Sequence, residues 1–232
     1  MTTQHLTALL VVPDTNTTMQ PEIASHWPTL CEVIRVGIPR PPRPIVVSDL
    51  AEYRAATLAA VRPFINARPD IVLYGCTTAG FLAGPTGDRE MCDALADAVG
   101  VPTVTTAYSM VEALRHANMR RPAVVTPYLQ ASNDGLIRFL KAYDIDVAVL
   151  NSLLFTTVEQ YNDASEHAVW DIALPTAAHA GADGLFIACT QLPTRGILQR
   201  LRDTCGKPVW GAIQATAWCG QRVLSTVALS GD

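Results

Sequence analysis

Lysine is nearly missing from this chain: only Lys141 and Lys207 occur in 232 residues, against fifteen arginines. A Schiff-base cofactor needs a lysine amine. These two fall on a solvated helix stretch and in the loop Gly206-Lys207-Pro208, so pyridoxal phosphate is not expected. Neither G-x-G-x-x-G after a strand nor G-x-x-x-x-G-K-[ST] is present, which speaks against a dinucleotide or a nucleoside triphosphate. Charged residues are 16% and the net charge is -4, with no window of clustered Lys and Arg. Binding to a phosphate backbone needs such a cluster, so nucleic acid is not an expected partner. No apolar run reaches the ~18 residues that span a bilayer. Met1 to Gln20 also lacks a basic start, an apolar core and a small-residue cleavage site. The expectation is no membrane association and a cytoplasmic protein.

Cysteine pairing is missing too. Cys31, Cys76, Cys92, Cys189, Cys205 and Cys219 form no C-x-x-C, and His5, His26, His116, His167 and His179 show neither H-x-H nor H-x-x-x-H spacing. Free thiols are expected, and no metal site. With no cofactor indicated, any chemistry must come from side chains.

What is abundant is Ala, Val, Leu and Thr. Residues are 49% hydrophobic and only 6% aromatic, which suits helices packed on a buried parallel sheet. Apolar runs of strand length lie near Leu6–Val12, Glu32–Val36, Ile71–Gly75, Pro102–Thr105, Pro122–Thr126, Ile145–Leu150, Gly184–Ala188 and Pro208–Ala212. Stretches of helical period alternate with them. Ser48 is placed to cap one helix carrying Leu50, Tyr53, Leu58 and Val61. Others cover Arg89–Val99, Ser132–Tyr143, Asp163–Ala180, Arg195–Asp203 and Ala215–Leu229.

The eight strands split into two sets of four. Val124 follows Val11 by 113 residues, and Cys189 follows Cys76 by the same 113. The text around the cysteines repeats: Pro69-Asp70-Ile71-Val72-Leu73-Tyr74-Gly75-Cys76-Thr77 answers Ala182-Asp183-Gly184-Leu185-Phe186-Ile187-Ala188-Cys189-Thr190. Gly100-Val101-Pro102 answers Gly206-Lys207-Pro208 at an offset of 106. The expected fold is α/β: two pseudo-symmetric four-stranded parallel-sheet units with an interdomain active-site cleft. One unit spans 1–107, joined by the C-terminal helix 215–232, and the other spans 108–214.

Ligands of open α/β sheets bind beyond the carboxyl ends of the strands. Cys76 and Cys189 both occupy such ends, so units packed end to end would set two thiols across one cleft. One thiolate can act as base or nucleophile while its partner is the acid. Three reactions follow: two-face proton transfer at a carbon acid, thiolate addition to an activated double bond with rotation and elimination, and protonation of a carbanion left by decarboxylation. Each needs donors for carboxylate charge, and Thr77, Thr78 and Gly80 on one side and Thr190 and Gln191 on the other are available.

Val12-Pro13-Asp14-Thr15-Asn16-Thr17-Thr18-Met19, Gly75-Cys76-Thr77, Thr126-Pro127-Tyr128 and Ala188-Cys189-Thr190-Gln191-Leu192-Pro193 resemble, in order along nearly the whole chain, the signature segments of maleate cis-trans isomerases. Those belong to the aspartate/glutamate racemase superfamily, with arylmalonate decarboxylase and hydantoin racemase. The resemblance implies a small carboxylate substrate and no cofactor. It implies that Asn16 and Tyr128 bind substrate carboxylates, that Cys76 attacks the double bond to give a succinyl-thioether, and that Cys189 supplies the proton. Asn162 sits where the isomerases carry another carboxylate-binding asparagine. Asp14 and Gln20 stand where those enzymes have serine and glutamate, and an Asp beside a dianion is unfavourable unless turned away. Thr77-Thr78-Ala79-Gly80-Phe81 is closer to the decarboxylase segment, but that enzyme keeps only the second cysteine.

The leading expectation is a cofactor-independent isomerase of a small unsaturated dicarboxylate or its monoamide, with maleate to fumarate as the model reaction. An amino-acid or hydantoin-type racemase, an arylmalonate-type decarboxylase and a non-enzymatic carboxylate-binding protein are the alternatives. Cys31, Cys92, Cys205 and Cys219 read as core residues. The run Gly37-Ile38-Pro39-Arg40-Pro41-Pro42-Arg43-Pro44 reads as an extended surface connection rather than a lid. Apolar helices such as Met110–Leu114 leave a homo-oligomer open.

Overall fold

In the computed structural model, which describes residues 6–27 and 30–229, two four-stranded sheets carry the fold and every pairing in them is parallel. The first holds β1 (Leu6–Pro13), β2 (Leu30–Ile38), β3 (Ile71–Tyr74) and β4 (Thr103–Thr105) in the order β2-β1-β3-β4. The second holds β5 (Ala123–Thr126), β6 (Val149–Ser152), β7 (Leu185–Ile187) and β8 (Val209–Gly211) in the order β6-β5-β7-β8. In both the third strand lies beside the first, and helices cover both faces. The helices are α1 (Met19–His26), α2 (Leu50–Val61), α3 (Thr77–Val99), α4 (Thr106–His116), α5 (Gln130–Lys141), α6 (Val158–Asn162), α7 (Glu166–Ala177), α8 (Leu198–Cys205) and α9 (Ala212–Leu229).

The central strands are buried on both faces, as parallel sheets require. Leu9, Val11, Val72 and Tyr74 pack with Tyr53 and Val61 of α2 and Met91 and Leu95 of α3. Ala8, Leu10, Ile71 and Leu73 point the other way, toward Ile23 of α1 and Ile213 and Ala217 of α9. The helices that end the two halves change partners. Met110, Val111 and Leu114 of α4 join the core of the second sheet with Val124 and Phe186, while α9 covers the first sheet. This exchange binds the halves through apolar area, at roughly 1.5–3 kcal/mol per fully buried large side chain.

The repeat is present, and the structure corrects its register at one place. Asp70 Oδ2 accepts from the Thr7 N–H at 2.7 Å, and Asp183 Oδ2 accepts from the Arg121 N–H at the same distance. The Gly75 and Ala188 N–H groups donate to Val11 O and Val125 O, both at 2.8 Å. The third strands are thus related by 113 residues, whereas the first strands are related by 114, so Val124 answers Leu10 and not Val11. A strand buried on both faces has no polar alternation to fix its register, and matching valines misled by one position. The offset of 106 at the last strands holds, since Leu73 pairs Val104 and Phe186 pairs Trp210.

Several helices also differ from expectation. Asp49, not Ser48, receives the Val46 N–H (2.9 Å) ahead of α2. α3 begins twelve residues earlier than the stretch from Arg89, with a break at Gly84, whose φ of 73° needs glycine, just before Pro85. The helix expected over Asp163–Ala180 is present as α7 but shorter at both ends, from Glu166 to Ala177, and Ser165 Oγ caps its start by accepting from the Ala168 N–H. α1 has no counterpart in the expected elements. It is only eight residues long, and Pro21 in its first turn hides it. The Cys31 side chain lies outside the described residues. Among them, no helix is long and apolar enough to cross a membrane.

Candidate active site

Cys76 leaves the end of β3 and stands at the cap position of α3, so the first turn of a long helix points its amides back at the sulfur. The residue before it must be glycine on space grounds: a Cβ at Gly75 would lie 2.5 Å from Met19 Sδ and 2.6 Å from Val12 Cγ1. Cys189 follows β7 in the equivalent place, but α8 does not start until Leu198. A loop, not a helix, surrounds this second thiol, and the Gln191 N–H donates to Cys189 Sγ at 3.3 Å.

Both cysteines line one enclosed pocket with Asn16, Arg40, Thr77, Thr78, Tyr128 and Thr190. Its interior is about 30 Å³, room for a single water. Arg40 is the one cation among the lining residues, and no carboxylate lines it. Asp14 is exposed and outside the lining; its N–H donates to Ile38 O at 2.9 Å and its carbonyl accepts from Arg35 at 2.6 Å.

Burial raises the Cys76 thiol above its ordinary pKa, opposed in turn by the Tyr53 hydroxyl, the Ala79 N–H, the charge of Arg40 and the Tyr74 hydroxyl. Burial also pushes Cys189 up, to about 11, against the Gln191 N–H, the Tyr128 hydroxyl and the Leu192 N–H, with the neighbouring Cys76 adding to the rise. Burial thus works against ionisation of both thiols. Positive charge acts on the ionisation of Cys76.

Buried polar atoms gather here. Thr77 Oγ1 and Arg40 Nε belong to pocket-lining residues, whereas the Tyr53 and Tyr74 hydroxyls face Cys76 and the Tyr128 hydroxyl faces Thr78 and Cys189. Donors clustered around two thiols describe a space made for a ligand rich in acceptor oxygens.

Other members of the site are spent on holding it together. Asn16 Nδ2 donates to Thr190 Oγ1 (3.0 Å) and Thr190 O (3.3 Å), while its Oδ1 accepts from the Thr18 and Met19 N–H groups at the start of α1. Thr190 Oγ1 in turn donates to Gly75 O at 2.7 Å. Thr18 Oγ1 donates to Gln191 O, and Glu22 accepts from the Thr194 N–H at 3.0 Å. Residues 15–22 of the first half thus grip the loop that carries the second cysteine.

Of the residues singled out in the sequence for the site, all but Gly80 and Asn162 line this pocket. Asn162 is exposed and its Oδ1 accepts from Gln191 Nε2 at 2.6 Å, so it steadies the Cys189 loop from outside the lining. The proline-rich run is not a mere surface connection, since Arg40, Pro44 and Ile45 form part of the pocket wall. β2 pairs Ile38 with Pro13, the end of β1, so the chain leaves β2 at the same edge that carries Cys76. That signal was in the topology: a loop following a parallel strand hangs over the ligand edge. Tyr161, Ser132 and Ile45 carried no readable mark. Cys92, Cys205 and Cys219 lie outside the lining, their sulfurs directed at backbone carbonyls.

Comparison with known proteins agrees with this picture. A maleate isomerase of Alcaligenes faecalis is 23% identical over 245 aligned residues, covering 94% of this chain and 90% of that protein. Among solved structures, a cysteine-to-alanine variant of a Pseudomonas putida maleate isomerase with maleate superposes with a TM-score of 0.87 at 20% identity, covering 96% and 93% of the two chains. A cysteine-to-serine variant of the Nocardia farcinica maleate cis-trans isomerase, holding a covalently bound succinylcysteine intermediate, gives 0.82 at 23% identity over 95% and 93%. At such identities these structures establish the fold. The family model described as arylmalonate decarboxylase matches residues 54–230, a span that includes both cysteines, and the chain belongs to that family.

Proposed function

We propose that this protein is a cofactor-independent isomerase of a small unsaturated dicarboxylate, with maleate to fumarate as the model reaction. The observation that carries the reading is the pair of thiols lining one pocket amid hydroxyl donors. The maleate isomerases among its relatives, and the succinylcysteine in the Nocardia farcinica neighbour, support the same chemistry.

The cycle starts with Cys76 ionised and Cys189 protonated. The Cys76 sulfur bonds to one alkene carbon, and the displaced electron pair passes to the other carbon, stabilised as an enediolate by donors such as Thr77 Oγ1 and Tyr128 Oη. Cys189 gives its proton to that carbon, leaving a succinyl-thioether with a freely rotating C–C bond. After rotation the Cys189 thiolate removes the proton, the C–S bond breaks, its electron pair returns to Cys76, and the trans diacid leaves. Asn16, Thr190 and Asn162 hold the Cys189 loop in register with Cys76.

Incubation with maleate, followed by proton NMR, is expected to yield fumarate. The Cys189→Ala protein is expected to gain the mass of one maleic acid on Cys76. Absence of both from a folded sample overturns the reading. Deuterium entering the α-position of an amino or aryl acid, without an adduct, would select racemisation instead, in which the same two thiols move a proton between faces.

A further inference from the structure

Arg40 was not foreseen as part of the site, and neither the family match nor any named relative assigns it a part. It stands on the segment after β2, its Nη2 donating to Arg43 O at 2.8 Å. Arg43 is itself held by both carboxylate oxygens of Asp49, at 2.7 and 2.9 Å. Pro39, Pro41, Pro42 and Pro44 flank these residues and restrict the backbone. The guanidinium is thus presented to the pocket on a braced support, while its Nε is buried and has no hydrogen-bond partner.

A buried guanidinium donor left unpaired costs more than a neutral one, and no carboxylate among the described residues pairs with Arg40. The other donors considered for the ligand, Thr77 Oγ1 and Tyr128 Oη, are neutral. They suffice for one carboxylate. A second negative charge enclosed in the same small space would lack a counter-charge unless Arg40 supplied it. The planar fork of arginine fits a carboxylate edge-on, which a neutral amide or ester cannot match in strength.

We propose that Arg40 is the specificity-determining residue of this site, binding the second carboxylate of a diacid and so selecting dicarboxylates over their monoamides and monoesters. The assignment rests on the isomerase reading for its substrate, and its test separates the two.

The kcat/KM of the native protein, Arg40→Met and Arg40→Lys is measured for maleate and for its monoamide. The expectation is a loss of about 10- to 100-fold for maleate in Arg40→Met, the range for a charge-assisted pair, with the monoamide changed less than about threefold and Arg40→Lys between the two. Equal losses for both substrates would assign Arg40 to Cys76 ionisation or to bracing the segment and overturn the proposal, as would no loss for either. Calorimetric binding of succinate, which cannot react, is measured in Cys76→Ala with and without Arg40→Met. Succinate bound tightly only when Arg40 is present sustains the proposal even if no alkene is isomerised, in which case the isomerase reading alone fails. Succinate binding that is absent, or indifferent to Arg40, overturns the proposal even where turnover stands.

Discussion

Cys76 and Cys189 leave equivalent strands of two copies of one unit, yet their surroundings have diverged. Cys76 opens a long helix and faces two phenol hydroxyls and an arginine. Cys189 lies in a loop held by backbone amides and by hydrogen bonds to residues of the other half. The first setting can stabilise a thiolate once the pocket admits a substrate. The second keeps a proton, with the thiol displaced to about 11. The two halves carry a thiol each at matching strand ends, and the difference in the chain that leaves each end gives the two thiols different surroundings.

The sharpest way to break this comparison is to delete each thiol in turn. Cys76→Ala is expected to lower turnover of maleate by more than about 10⁴-fold and to abolish any adduct. Cys189→Ser should lower turnover less, by about 10²- to 10⁴-fold, while leaving adduct formation at Cys76 detectable by mass spectrometry. Equal losses with no adduct in either variant would make the thiols interchangeable.

Donor removal comes next in size. Thr77→Val or Tyr128→Phe should lower kcat by about 10²- to 10³-fold, because each removes a donor of a pocket-lining residue. Asn16→Ala should affect stability as well. It strips partners from Thr190 and from the start of α1, so a stability loss of about 1–3 kcal/mol, read by denaturant unfolding, is expected along with lower activity.

The pH profile tests the same asymmetry with the smallest effect per measurement. Both thiols are raised, so kcat/KM should climb with pH as Cys76 ionises and fall again as Cys189 loses its proton near pH 11. In Cys189→Ser the rate of adduct formation should keep the rising limb and lose the falling one. A falling limb that survives would place the acid elsewhere.

Much of this was legible in the chain itself. Valine-rich runs ending in Gly-Cys-Thr and Ala-Cys-Thr marked both strand ends, because a parallel strand must be apolar throughout and its ligand edge must turn polar at once. The same uniformity blurred the register of β1 against β5 by one residue. α1 was too short to show a period, although Asn16 and Glu22 at and within it tie the halves together.

The sequence by itself determined two four-stranded parallel units, the pairing of Cys76 with Cys189, and the absence of any lysine or nucleotide-binding loop around which a cofactor could be argued. Those are local matters of periodicity, spacing and residue chemistry. Only the tertiary structure decided that Asn162 stays outside the pocket lining and that a proline-rich run brings Arg40 to the pocket that holds Cys76. Such contacts join residues far apart in the chain. Their energies depend on how faces pack and which buried donors are left without partners, and no local pattern encodes that.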